Sequence, residues 1–190
     1  MRSLIVVPAL LLIATSAPAS DDASAGVGVV SLRPFVGAYI PTGDQKKVLS
    51  SSVLTGAQLG YTLPAPIRLV GTVAWTPAKN KDLSDTRTNI FQYDAGVEVA
   101  SSPAPSAEWA MVPFAGVGLG ARTYRFKDLS SSDQTNIAGY GALGGEVVRS
   151  GMGARLEVRD YLSRFKEIEA PNSTSTRNDL ALTLALDFHL

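Results

Sequence analysis

Apolar residues recur at every second position through most of this chain. The closing stretch NDLALTLALDFHL sets Leu180, Leu182, Leu184, Leu186, Phe188 and Leu190 on one face, with small or polar residues between them. Period-two alternation marks a strand whose two faces meet different surroundings. The same pattern runs through VVSLRPFVGAYI near 29–40, where Leu32, Val36, Ala38 and Ile40 oppose Arg33, Phe35, Gly37 and Tyr39. VLTGAQLGYTL, IRLVGTVAWT and NIFQYDAGVEVA repeat it, the last setting Phe91, Tyr93, Ala95, Val97 and Val99 against Gln92, Asp94, Gly96 and Glu98. In the second half WAMVPFAGVGLGARTYRF, IAGYGALGGEVV and MGARLEVRDYLSRF do the same. With the C-terminal stretch these predict about eight strands, each near the 9–11 residues that cross a bilayer at a tilt.

The connections are expected to alternate in length. After the second, fourth and sixth strands stand Pro64-Ala65-Pro66, SSPAPSAE and Arg149-Ser150-Gly151; after the first, third, fifth and seventh stand PTGDQKKVLSS, PAKNKDLSD, KDLSSSDQTN and KEIEAPNSTST. Short turns at one end and longer polar loops at the other are the plan of an outer-membrane barrel, with both termini at the turn end. Lys46, Lys47, Lys79, Lys81, Lys127 and Lys166 all fall in the longer loops or at their edges, and no expected strand contains a lysine. Trp75 and Tyr39 at one end, with Trp109, Tyr61 and Phe188 at the other, are candidates for two aromatic girdles.

A soluble barrel alternates too, with its apolar face inward, so the contents of the polar face decide the class. That face is rich in glycine and alanine and lacks lysine. It carries Arg33, Arg68, Arg122, Arg155 and Arg159 against Asp94, Glu98, Glu146, Glu157 and Asp187. Matched charges suit an enclosed interior, where an unpaired ion is costly, and arginine suits bidentate pairing with carboxylates. Such a lumen network would be structural or gating. Asp160 breaks the pattern, because strict alternation points it outward; a bulge or a position at the loop-side boundary is expected there.

The N-terminus, MRSLIVVPALLLIATSAPAS, reads as a secretory signal peptide at 1–19. Arg2 precedes an apolar run from Leu4 to Ala14 that is too short to span a bilayer, and Ala17-Pro18-Ala19 supplies a small-x-small cleavage site. Residues 20–28 read as a flexible lead, and 29–190 as one barrel domain. The chain has 17 basic and 17 acidic residues and no cysteine, so no charge bias points to nucleic acid, and disulfides, thiolate metal sites and a cysteine nucleophile are excluded.

From 29 onward the sequence resembles the small outer-membrane β-barrel proteins of Gram-negative bacteria, the OmpA-transmembrane-like, OmpX-like and OmpW-like group. The resemblance rests on the alternating terminal strand and on ARLEVRDYL, in which arginine and glutamate alternate toward the lumen. It implies a closed antiparallel up-and-down transmembrane barrel in the outer membrane. It further implies a C-terminal signal for the barrel-assembly machinery at Leu182, Leu184, Leu186, Phe188 and Leu190, with Leu190 where an aromatic residue is usual. It implies outer-membrane lipid and lipopolysaccharide as surroundings, and a monomer. The peptidoglycan-tethering role of two-domain members is not carried over.

Catalysis is not expected. A Ser/His/acid arrangement needs a histidine beside the nucleophile, and the only histidine, His189, is next to the C-terminus at the turn end. Gly116, Gly118 and Gly120 lie within a strand and not at the strand-to-helix turn that phosphate binding requires. Asp82, Asp85, Asp128 and Asp133 read as solvated loop charges, and the loop lysines as candidates for lipopolysaccharide phosphates. No cofactor or metal is expected. Three roles remain open: a plugged barrel with a structural or surface-interaction role through four loops, a narrow channel or transporter for small or hydrophobic solutes, and a soluble secreted barrel holding an apolar ligand.

Overall fold

The computed structural model describes residues 28–43, 46, 50–64, 66–79, 87–101, 109–126, 133–149, 152–166 and 174–190. The expected signal peptide, most of the lead and most of the longer connections lie outside these residues.

Eight strands form: β1 (Val30–Pro41), β2 (Ser52–Thr62), β3 (Ile67–Lys79), β4 (Arg87–Ala100), β5 (Ala110–Phe126), β6 (Gln134–Arg149), β7 (Met152–Lys166) and β8 (Thr174–His189). Each pairs antiparallel with its sequence neighbours, and β1 pairs with β8 to close the barrel. Closure leaves no edge strand, so every strand has a partner on both sides.

The register sets the shape. Partners followed from Val30 run through Tyr61, Leu69, Val97, Val117, Gly141, Asp160 and Leu180, and return to β1 at Ile40. The circuit closes ten residues further along the strand than it began. Ten residues of shear over eight strands give a tilt of about 40° and a backbone radius of about 8 Å. Such a barrel has space inside only for packed side chains.

Burial is inverted relative to a soluble domain. Among the described residues the four largest fully buried side chains are Arg33, Arg122, Arg155 and Arg159, whereas Leu156, Leu184 and Leu186 are more than half exposed. Along β7 the outward residues Met152, Leu156, Val158 and Leu162 alternate with buried Arg155, Glu157, Arg159 and Tyr161. At this tilt the interval from 152 to 162 rises about 25 Å along the barrel axis, the height of the apolar band of a membrane barrel.

Three expectations need correction, and a fourth, on Asp160, is narrowed. The connection between β4 and β5, 101–109, is as long as the connections at the opposite end, so the length asymmetry is carried only by 63–66 and 150–151. Lys79 and Lys166 are the last residues of β3 and β7, because ladder pairing carries those strands one or more residues into the expected loops. Tyr39 is 2% exposed and faces the lumen, so it belongs to no girdle, whereas Trp75, Trp109 and Tyr61 are exposed. Asp160 pairs with Gly141 and Leu180 in unbroken ladders. No bulge turns it inward, so of the two expected alternatives the position toward the loop-side end of β7 is the one left, with the carboxylate on the outer wall.

Candidate functional site

The lumen is where most of the chemistry-bearing residues converge among those described. Alternation delivers them: on β7 the inward positions 155, 157, 159 and 161 are two residues apart and stack along the axis. All ten charges expected in the lumen are there, Arg68 as the least enclosed.

At the end that holds the termini, Arg33 donates from Nε to Asp187 at 2.9 Å and lies 3.5 Å from Glu146. Arg68 grips both oxygens of Glu146 at 2.8 and 2.7 Å. Arg155 also reaches Glu146, and with the same guanidinium bonds Glu98 and Glu157. Its guanidinium lies 3.5 Å from the centroid of the Phe114 ring, so the cation is held by three anions and an aromatic face.

Glu157 links the two halves. It accepts from Arg155, from Arg159, and from Gln58 at 3.2 Å. Above it Arg159 donates to Thr72 at 3.0 Å and to Asp94 at 3.3 Å. Asp94 accepts further hydrogen bonds from Tyr161 at 2.8 Å and Gln92 at 2.7 Å. Gln92 in turn accepts from Arg122, which pairs with Asp179 and stacks 4.2 Å from the Tyr161 ring centroid. An unbroken chain of polar contacts thus runs the length of the lumen. A void within it, bordered by Gln58, Thr72, Glu157 and Arg159, measures about 10 Å³. That is room for about one water molecule.

Glycines make the space that the large side chains fill. A Cβ on Gly118 would lie 2.4 Å from the Tyr140 ring, and one on Gly96 would lie 2.2 Å from its hydroxyl. The run Gly116, Gly118, Gly120 is therefore a packing feature of the lumen wall.

Sequence reasoning missed Asp179, which is fully buried against Arg122. The signal was present, since 179 shares the odd-numbered face of β8 with Asp187. It also missed the neutral members Gln58, Gln92, Tyr140 and Tyr161 as partners of the charges. Of the C-terminal signal residues, Leu182, Leu184, Leu186 and Leu190 are exposed on the outer wall, while Phe188 is half-buried. Among the described residues no group of three or more His, Asp or Glu side chains is arranged to hold a metal ion.

No family model matches the chain, and no curated protein matches it. Among solved structures it is similar to Neisserial surface protein A, at 15% identity and a TM-score of 0.61, over 84% of this chain and 96% of that one. The outer membrane protein OprG from Pseudomonas aeruginosa matches at 16% identity and a TM-score of 0.44, over 87% and 97%. This chain shares with Neisserial surface protein A the fold of a small closed β-barrel.

Proposed function

We propose that this chain is an integral outer-membrane β-barrel with a sealed, charge-paired lumen, exported by the signal peptide at 1–19. Its role is structural or surface-interacting, exercised through the four connections at the end opposite the termini. The observation that carries this reading is the inverted burial: four arginines inside, leucines outside. A continuous apolar surface of this height cannot be left against water without association, whereas lipid accepts it. The fold shared with Neisserial surface protein A supports the same reading.

The lumen supports sealing over transport. Each guanidinium has carboxylate partners, and opening a pore would strand buried ions at several kcal/mol each, about 3–5 for a broken pair. An apolar ligand would need an apolar cavity, and that space holds paired charges instead. No catalytic role is assigned. Assembly by the barrel-assembly machinery, residence beside lipopolysaccharide and a monomeric state belong to the same proposal.

The test is single-channel conductance of the refolded protein in planar bilayers, with co-flotation on liposomes to score insertion. Inserted and silent protein is the expected result. Discrete conductance steps would make it a channel, and recovery of the native protein in the soluble periplasm would overturn the membrane reading.

A further inference from the structure

The outer wall of the barrel is not uniformly smooth. Between β2, β3 and β4 an open cleft of about 320 Å³ is bordered by Thr55, Val73, Trp75, Phe91 and Tyr93. Its volume is at the lower end of the range for ligand clefts, about 300–1,000 Å³. The register explains it. Thr55, Trp75 and Phe91 form one outward row, and Ala57, Val73 and Tyr93 the next. Large aromatic walls therefore stand beside small residues. The following row, Leu59, Gly71 and Ala95, continues the depression, because a Cβ on Gly71 would meet nothing within 4 Å.

The mouth of the cleft is polar. One row beyond Trp75 and Phe91, toward the end opposite the termini, Asn89 pairs with Arg125. Asn89 accepts the Trp75 indole N–H at 3.3 Å, and the Arg125 guanidinium lies 5.3 Å from the Phe91 ring centroid. Arg125 Nε donates to Asp133 at 2.9 Å, and both side chains are more than half exposed. A guanidinium has five N–H donors, and this pair engages one of them through Nε.

An apolar, largely aromatic trough capped by a cation, a carboxylate and an amide matches an amphiphile that carries phosphate and hydroxyl groups on its head and a hydrocarbon tail. We propose that the cleft holds one acyl chain of a phosphorylated glycolipid of the lipid A type, with its phosphate on Arg125 and its sugar hydroxyls on Asp133 and Asn89. This rests on the bilayer-spanning reading above. It adds a defined lipid site to what is otherwise a non-selective belt. Beside a phosphate on Arg125, the exposed carboxylate of Asp133 needs hydroxyl donors, which a sugar head supplies more fully than the head of a simple anionic phospholipid.

Trp75 is its own reporter. The Trp109→Phe protein, with Trp75 as sole tryptophan, is refolded into vesicles of brominated phosphatidylcholine, and lipid A is added while Trp75 emission is followed. Lipid A should relieve the quenching several-fold more effectively than its mole fraction accounts for. That preference should fall to unity in Arg125→Gln and in Gly71→Leu, both still shifted in mobility by heating on gels. Relief that follows mole fraction alone, or a preference unchanged in both variants, overturns the site but leaves the membrane reading intact. Equal relief by phosphatidylglycerol overturns the choice of glycolipid. Trp75 that brominated lipid never quenches overturns both.

Discussion

Arg155 presses its guanidinium against the face of Phe114, 3.5 Å from ring centroid to the central carbon, while bonding Glu98, Glu146 and Glu157. This one side chain neutralises carboxylates from three strands, β4, β6 and β7. Arg155→Met should lower stability by about 3–5 kcal/mol, the cost of leaving buried anions uncompensated. Arg155→Lys should also fail to restore the wild-type value, because an ammonium cannot satisfy three partners in a planar fork. Phe114→Leu should cost about 1–2 kcal/mol through the lost cation–π face. Urea unfolding of protein folded in vesicles measures all three, and an Arg155→Met midpoint equal to wild type would refute the role of the network in stability.

Leu184 pairs with Leu156 on one side and Val36 on the other, in the middle of the outer belt. Leu184→Arg should cost about 2–4 kcal/mol, the penalty for a cation at the bilayer midplane on a barrel exterior. The folded fraction in lipid, scored by the heat-dependent shift on gels, reads it directly. An unchanged folded fraction would show that this face does not meet hydrocarbon.

Asp160 puts a carboxylate on the same wall, beside Gly141 and Leu180. One of its oxygens is buried without a hydrogen-bond partner. Asp160→Leu should therefore raise stability in vesicles, by about 1 kcal/mol or more, since acidic residues on the lipid face cost less than arginine or lysine but still cost. A loss of stability would mean that the carboxylate has a partner in the membrane, and would redirect attention to that partner.

Tyr140 occupies the space left by Gly118, and its ring is backed by Tyr161 at 5.5 Å and by the Arg159 guanidinium at 4.5 Å. It has no room to retreat. Gly118→Val should destabilise by about 1–3 kcal/mol through overpacking, whereas Gly71→Val, on the outer wall with open space before it, should change stability little. Parallel unfolding titrations decide; equal effects at the two glycines would contradict the packed lumen.

How much of this was legible in the sequence varies with the kind of information. Alternation assigned Arg33, Glu98, Arg122, Glu146 and Arg155 to the face opposite Leu156 and Leu184, and the contrast in composition between the two faces pointed to a closed barrel with charges within. Asp179 was equally legible by parity, since it lies on the same face of the quoted terminal stretch as Asp187, yet it was left out of the set of lumen charges. Tyr39 was assigned to the inner face by the same parity, and the structure keeps it there and out of any girdle.

Pairing was not legible. Arg68 stands opposite Glu98 in the β3–β4 ladder, the partner that local register suggests, yet it bonds Glu146 on β6, and Glu98 bonds Arg155 on β7. The trough beside Trp75 was equally hidden, since it depends on which small residues of three strands fall in adjoining rows. The sequence by itself determined which face each residue takes, because a strand's side chains alternate by covalent geometry. Only the tertiary structure decided height and partner, because a shear of ten residues brings distant strands to one level, and long side chains cross a narrow lumen to the nearest opposite charge at that level.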